Sequence, residues 1–359
     1  MMGKKNICFL IGNLNHSGGT ERVTTLIANE LVEKGYNIFI LNLVSGTQPF
    51  FKLDNRIEVA SLYPQAVSMK KHLIGTILKI RNYAKNNNID TLIDVDSILS
   101  VFSVPALFGL KIKHICWEHF NFKVDLGSSF RRLGRRLAAH YCDYIVTLTE
   151  RDKGFWQSAI KKRNAEIITI MNPSPYKDIV NIPKKENKII LAAGRLTYQK
   201  GFDLLLKIWG NIYRDYPDWR LLIVGEGEDR ADLENFIQDN EIKNVQLPGR
   251  TQDIDSYYRQ ASIFCLSSRF EGLGMVLLEA QAYGLPIVSF DCDVGPSEII
   301  SDSLNGFLVK NNDTKAFEVK LRKLIDLSND DYISFIKNTK LNYEKFSQEH
   351  IVEQWLLII

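Results

Sequence analysis

The 359 residues hold little that would mark a membrane, secreted or metal-binding protein. No apolar run approaches the roughly 18 residues that span a bilayer. Met1 to Lys5 lead straight into a short apolar run ending at Gly12. Polar residues and glycines follow it in place of a cleavage site, so it reads as a strand and not as a signal peptide. Only five cysteines occur, Cys8, Cys116, Cys142, Cys265 and Cys292. They are scattered, sit mostly in apolar surroundings and lack metal-ligand spacing, so they read as reduced core thiols of a cytoplasmic protein. No G-x-G-x-x-G occurs: Gly18-Gly19 does not match it and Gly225-Glu226-Gly227 lacks the third glycine, which argues against a nicotinamide dehydrogenase. No Ser/His/Asp, Cys/His or zinc arrangement appears. The basic stripe interleaved with aromatics that nucleic-acid binders carry is also missing.

What is present is ordinary in amount. Hydrophobic residues make up 45% and charged residues 24%, the balance of a soluble globular protein, and the length suits two domains. The net charge of +3 is unevenly spread. Residues 1–180 hold 24 Lys and Arg against 15 Asp and Glu, a balance of +9; the remainder holds 21 against 27, a balance of −6. Two domains with different partners would produce this, with the basic half favouring an anionic surface or acceptor. Chance and solubility would produce it too.

Strand-like and helix-like segments alternate along the whole chain. Lys5 to Gly12 is a buried strand and Asn13 to Gly19 a polar loop. A helix follows from Thr20, with Val23, Leu26, Ile27 and Leu31 on one face, and Gly35 ends it. Further strands are expected at 36–44, 89–95, 112–117, 144–148 and 166–171, with helices at 67–86 and 98–108 and from about 151. Breakers at Asn172-Pro173-Ser174-Pro175 and Pro183 to Asn187 mark a linker. The scheme then restarts at Ile189. The expected fold is α/β: two Rossmann-like, doubly wound parallel-sheet domains facing across a cleft. The first covers 1–172, the linker 173–187, the second 188–345, and a final helix, 346–359, packs back on the first domain.

The most informative stretch is Ser267 to Ala280. A strand, Ile263 to Leu266, runs into a loop with Gly272 and Gly274 and then a helix. Glycines ahead of a helix let the backbone approach a ligand, and the first free N–H groups face an anion. Glu271 lies at the mouth of that helix and Glu279 more than a turn inside it. A ligand with central phosphates and hydroxyl-rich ends, such as a nucleotide sugar, would suit two flanking carboxylates; a surface turn with two solvated glutamates would spell the same. Arg195 and Lys200 follow the first strand of the second half, between glycines. A fixed cation about 4 Å from a leaving diphosphate is worth about 4 kcal/mol at an effective dielectric of about 20, or roughly a thousandfold in rate. Asp94-Val95-Asp96, Asp253-Ile254-Asp255 and Asp291-Cys292-Asp293 all spell the Asp-x-Asp of metal-dependent transferases. Three matches without a second ligand cluster carry little weight. His119, at a strand exit beside Glu118, reads as a donor to a ligand hydroxyl, a general base or a structural histidine.

Taken together these residues resemble the retaining glycosyltransferases of family four, with GT-B architecture. The matching features are Gly18-Gly19-Thr20-Glu21-Arg22, Glu118-His119, Gly194-Arg195 with Lys200-Gly201, Gly225-Glu226-Gly227, Gly249-Arg250, the Glu271-to-Glu279 frame and Gly295-Pro296-Ser297-Glu298. They keep the family's order across nearly the whole chain. Trp117 to Asn121 is similar to bacterial hexosyltransferases of lipopolysaccharide and capsule assembly. The resemblance implies a UDP-sugar donor and a saccharide or lipid-linked acceptor held in the first domain. It implies transfer with retention, no metal or other cofactor, and no nucleic-acid partner. Arg195 and Lys200 would hold the diphosphate, with the Gly19 amide beside Gly18 and those of Gly272, Leu273, Gly274, Met275 and Val276. Glu279 would bind ribose, Glu271 the hexose, and Gly225 and Arg250 would border the nucleotide. His119 would lie against the donor sugar. Arg131, Arg132, Arg135 and Arg136, and the segment with Lys70, Lys71, Lys79 and Arg81, would meet the acceptor or an anionic membrane. The protein would then sit on the inner face of the cytoplasmic membrane. Rivals are a nucleotide-sugar epimerase or hydrolase of the same architecture, a two-lobed sugar-binding protein, and a metal-dependent transferase.

Overall fold

The computed structural model describes residues 4–125, 127–177 and 179–359. Met1 to Gly3, ahead of the first strand, and Asp178, within the expected linker, lie outside them. The chain forms two compact units, Met1–Pro175 with Ser347–Ile359, and Tyr176–Phe346.

In the first unit the order is β1 (Asn6–Ile11), α1 (Gly19–Glu33), β2 (Asn37–Val44), β3 (Glu58–Tyr63), α2 (Leu73–Asn86), β4 (Thr91–Val95), α3 (Ser100–Leu107), β5 (Lys113–Trp117), α4 (Ser129–Tyr141), β6 (Tyr144–Thr147), α5 (Glu150–Ala159) and β7 (Glu166–Thr169). The second unit has β8 (Ile189–Ala193), α6 (Phe202–Ile212), β9 (Arg220–Val224), α7 (Arg230–Asp239), β10 (Val245–Gly249), α8 (Ile254–Gln260), β11 (Ile263–Leu266), α9 (Met275–Ala282), β12 (Ile287–Asp291), α10 (Pro296–Ile299), β13 (Gly306–Lys310), α11 (Thr314–Ile325) and α12 (Asn329–Tyr343). The last helix, α13 (Gln348–Leu356), belongs to the first unit.

Both sheets are parallel, in the orders β3-β2-β1-β4-β5-β6-β7 and β10-β9-β8-β11-β12-β13. Strands covered on both faces need continuous apolar runs, and Ile7 to Ile11 and Ile189 to Ala193 are buried throughout. In α1, Val23, Ile27 and Leu31 recur every four residues and are sealed in the core. Gly35 ends that helix at φ +92°, where a side chain would be strained. In each sheet the strand order reverses once: between β1 and β4, and between β8 and β11. Open parallel sheets bind ligands outside the carboxyl ends of the strands at such reversals.

Strands β3 and β13 have no counterpart in the sequence reading. Each is the edge of its sheet; β3 is half-exposed along most of its length, and the apolar run of β13 is only Phe307 to Val309, opened by a glycine and closed by a lysine. α2 starts at Leu73 and not at Val67: Val67 and Met69 pack on the core from a lead-in segment ahead of the helix. The five cysteines are free and buried. Among the described residues no helix is long and apolar enough to cross a membrane.

Candidate active site

The loops after β8 and β11 flank the reversal in the second sheet and are bonded to each other. Arg269 N–H donates to Gln199 O (2.8 Å), Gln199 Nε2 to Phe270 O (3.0 Å) and Ser267 Oγ to Lys200 O (2.9 Å). Gly201 sits at φ +62°, and a Cβ there would stand 2.2 Å from Ser267 O. The Lys200 stem crosses Gly194, with its carbons 3.2–3.4 Å from where a Cβ would be. That path delivers Lys200 Nζ to Glu271 Oε1 at 2.7 Å, and Ser268 Oγ donates to the same oxygen at 2.6 Å. The Lys200 side chain is 17% exposed and that of Glu271 7%. Oε2 of Glu271 has no protein partner among the described residues. Arg269, held by both nitrogens to Asp203 at 2.8 Å, braces the same loop. Neither Ser268 nor this brace was read from the sequence, which offers only Ser-Ser-Arg as a signal.

Arg195 stands apart from this pair: it is exposed and has no protein partner among the described residues. The two cations expected to act together are therefore one free guanidinium and one ammonium already shared with a carboxylate. Gly274, at φ +87°, caps α9. The first turn of that helix directs its N–H groups toward the loop of Gly272, Leu273 and Gly274. Met275 and Val276 begin the helix, and a Cβ on Gly295 would stand 2.4 Å from Leu273 O. Glu279 is buried in α9, and its Oε2 accepts from Tyr258 at 2.8 Å. Gly225 has a packing demand of its own, since a Cβ would come 1.8 Å from Gly194 O. Arg250, just past β10, is exposed.

In the first unit, Gly18 is the N-cap of α1 and Gly19 its first residue. The Glu21 carboxylate folds back over Gly18, with Oε2 2.3 Å from where a Cβ would stand. Burial raises its pKa, opposed by the amides of Glu21 and Gly18 and by His16. A carboxylate of the chain itself thus lies beside the first turn of this helix. At the exit of β5, His119 rests on Trp117 (ring centroids 4.4 Å apart), which meets Trp355 of α13 at 4.9 Å. Its Nε2 is sealed from solvent without a hydrogen-bond partner. Burial pushes its pKa down to about 3, so the imidazole is neutral.

The basic segment requires correction. Arg131 and Arg135 do not face outward. They are 6% and 3% exposed, one turn apart on the inner face of α4, where Asp96 and Glu118 neutralise them. Only Arg132 and Arg136 are exposed, and Arg132 pairs with Asp125. Lys79 and Arg81 are also engaged: Lys79 Nζ donates to Leu62 O, and Arg81 to the carbonyls of Ala106 and Phe108. Lys70 and Lys71 remain exposed.

Two of the three Asp-x-Asp spellings resolve into separate roles. Asp94 is sealed in the core, accepting from Ser100, Ser103 and His114. Asp96 is held by Arg131, and Asp253 caps α8. Asp94, His114 and Cys142 each bring one ligand-type atom within 4.8 Å of the others. His114 turns Nε2 to Asp94 (2.9 Å) and Nδ1 to Cys142 (3.5 Å). Opposite ring nitrogens are engaged, which builds a hydrogen-bond relay and not a chelate.

Two family models divide the chain: glycosyltransferase family 4 matches residues 17–173 and glycosyl transferases group 1 residues 175–342. An uncharacterized glycosyltransferase of Haemophilus influenzae is 40% identical over 352 residues, covering 98% of this chain and 99% of that protein. The chain belongs to the glycosyltransferases. The amylovoran biosynthesis glycosyltransferase AmsD of Erwinia amylovora is 31% identical, covering 97% and 98%. A Campylobacter jejuni α-1,4-N-acetyl-D-galactosaminyltransferase, named for an undecaprenyl-diphosphate-linked saccharide, is 29% identical, covering 98% of each chain. Solved structures agree on the fold. Staphylococcus aureus TarM, in complex with UDP, superposes with a TM-score of 0.81 at 16% identity, over 99% of each chain. The lipopolysaccharide outer core galactosyltransferase WaaB gives 0.79 at 21%, over 98% of each. This glycosyltransferase therefore has the two Rossmann-like domains of the GT-B fold.

Proposed function

We propose that the protein is a retaining hexosyltransferase of cell-surface polysaccharide or lipopolysaccharide synthesis. It moves galactose, glucose or an N-acetylhexosamine from a UDP-sugar to a saccharide or lipid-linked saccharide acceptor, without a metal. The observation that carries this reading is the buried Lys200–Glu271–Ser268 cluster at the reversal of the second sheet, beside the N-terminus of α9. A leaving nucleoside diphosphate needs fixed positive charge and aligned amides, and a hexose needs a carboxylate; this place offers all three. Lys200 and Arg195 hold the diphosphate with the loop of Gly272 to Val276. Glu271 Oε2 takes the sugar hydroxyls, Glu279 the ribose, and Gly18, Gly19, Gly225 and Arg250 border the donor.

His119, neutral and apolar on its Trp117 side, meets the transferred sugar. Support for the donor comes from the UDP bound by TarM, and for the acceptor class from the names of AmsD, WaaB and the Campylobacter enzyme. For contact with an anionic membrane inside the cell, Lys70, Lys71, Arg132 and Arg136 remain available. A panel of nucleotide sugars incubated with and without saccharide acceptors, read by mass spectrometry, tests the reading. Transfer from a UDP-sugar that persists in excess EDTA is expected. Turnover only with an added divalent ion, or donor conversion that ignores every acceptor, would sink it.

A further inference from the structure

The loop that carries His119 is tied on both sides of that residue. Glu118, 1% exposed, accepts on Oε2 from Ser97 Oγ (2.6 Å) and Arg135 Nε (3.1 Å), and on Oε1 from Phe120 N–H (3.0 Å). Arg131 Nη1 stands 3.6 Å from the same Oε1. Arg131 grips Asp96 with both terminal nitrogens (2.7 and 2.9 Å) and lies over the Phe120 ring at 4.1 Å. Arg135 donates onward to the carbonyls of Asn121 (3.1 Å), Val124 (3.1 Å) and Phe122. Asp152 Oδ1 takes the Phe122 N–H at 2.7 Å. His119 itself has no partner for its buried Nε2.

We infer that Glu118, Arg131 and Arg135 are positioning residues that set the orientation of the His119 ring by fixing the backbone on either side of it. The inference rests on the reading of His119 as a site residue. A buried ion cluster is not an economical way to stabilise a core, because desolvation offsets most of the attraction and apolar side chains do as well. What charge-assisted, bidentate contacts add is directional definition. Here that definition falls on Glu118 and on the stretch from Phe120 to Val124, either side of His119. It extends to Asp96, whose φ of +117° is strained for a residue with a side chain and is held by the Arg131 fork. The oriented ring lies tilted against Trp117, and Trp355 packs edge-on against that same Trp117.

The test uses the full-length, ligand-free protein. The His119 imidazole resonances are followed by NMR against pH, assigned through His119→Gln, in wild type, Glu118→Gln, Arg135→Lys and Arg131→Lys. Turnover and UDP affinity are measured alongside. In the folded variants the His119 resonance should move and its titration midpoint rise toward that of an ordinary histidine. Turnover should fall roughly ten- to a hundredfold, the cost of a misplaced group, with UDP affinity unchanged. Arg131→Lys, which loses the fork on Asp96 but none of the bonds to the carbonyls after His119, should fall between wild type and the other two. A wild-type resonance in folded variants overturns the inference whatever turnover does. A moved resonance with wild-type turnover upholds the positioning and removes His119 from the reaction. If Glu118→Gln does not fold, the lysine variants decide. Failure of all three to fold would also overturn the inference, since the cluster would then be a folding element.

Discussion

At the scale of single residues, the decisive feature of the second unit is that Lys200 is not a free cation. Its bond to Glu271 separates two effects that are usually confounded. Lys200→Ala should cut turnover by about two to three decades on the Coulomb estimate. It should also lower stability, because it leaves Glu271 buried without its counter-charge, which costs about 3 kcal/mol at the lower end of measured cases. Adding Glu271→Gln to that variant should recover the melting temperature and none of the turnover. Arg195→Ala should lose turnover alone, since that side chain is exposed and unpaired. A wild-type rate in either single variant would take that residue out of the mechanism.

His119 gives a prediction with a definite sign. Its folded pKa of about 3 lies below the ordinary 6.5. The stability linked to its neutral form is complete above pH 6.5 and lost as pH falls toward 3. His119→Gln should therefore flatten the decline of unfolding free energy between pH 6.5 and 4. An unchanged slope in urea titrations at several pH values would show that the ring is protonated in the fold.

At the scale of elements, α5 and α13 each brace the segment around the exit of β5. Asp152, in the first turn of α5, has its pKa raised to about 7, chiefly by burial, with Glu118 adding to it and Arg135 and the Phe122 amide opposing. The folded value lies above the ordinary one of 3.8. Its contribution is complete below pH 3.8 and lost as pH rises through 7, with a slope near 1.4 kcal/mol per pH unit in between. Asp152→Asn keeps an acceptor for Phe122, so it should stabilise the protein more at pH 8 than at pH 5. Equal effects at both would mean that the carboxyl is ionised throughout. From the other side, α13 inserts Trp355 against Trp117, while Lys5 and Lys113 bond the last carbonyls, of Ile359 and Ile358.

Elements also mark where sequence reading stops. Alternating apolar runs and helical faces make the inner strands and most helices legible, because a strand buried on both faces has no choice but continuous Val, Ile and Leu. Edge strand β3, mostly half-exposed, carries no such signature, and in β13 the run shrinks to Phe307 to Val309. Arg131 and Arg135 look like surface charge, since nothing in a string of letters says that Asp96 and Glu118, from two other strand exits, will meet them. The glycine loops are legible for the opposite reason: Gly201, Gly274 and Gly295 are required by local backbone geometry. What they hold together, the Lys200–Glu271 pair, depends on which strand follows which in the sheet.

At the scale of the whole molecule, two units with separate sheets and cores should not unfold as one. Each sheet closes its own core, around Trp209, Phe290 and Phe317 in the second unit and around Phe39, Phe102 and Trp156 in the first. Calorimetry should resolve two transitions. Trp355→Ala identifies the first unit's, because replacing a fully buried tryptophan costs about 3–5 kcal/mol and α13 belongs to that unit. UDP then becomes a probe of where the donor is held. A ligand at 100 times its dissociation constant adds about 2.7 kcal/mol to whatever it binds. For a unit of this size that raises the midpoint by roughly 5–10 °C. For UDP itself, the proposed site gives the diphosphate and ribose contacts to the second unit and only Gly18 and Gly19 to the first. The transition that Trp355→Ala leaves alone should therefore take the larger shift, and Lys200→Ala should reduce it. UDP moving only the transition that Trp355→Ala lowers would place the nucleotide on the first unit, and the assignment of Lys200, Glu271 and α9 to the donor would fall with it.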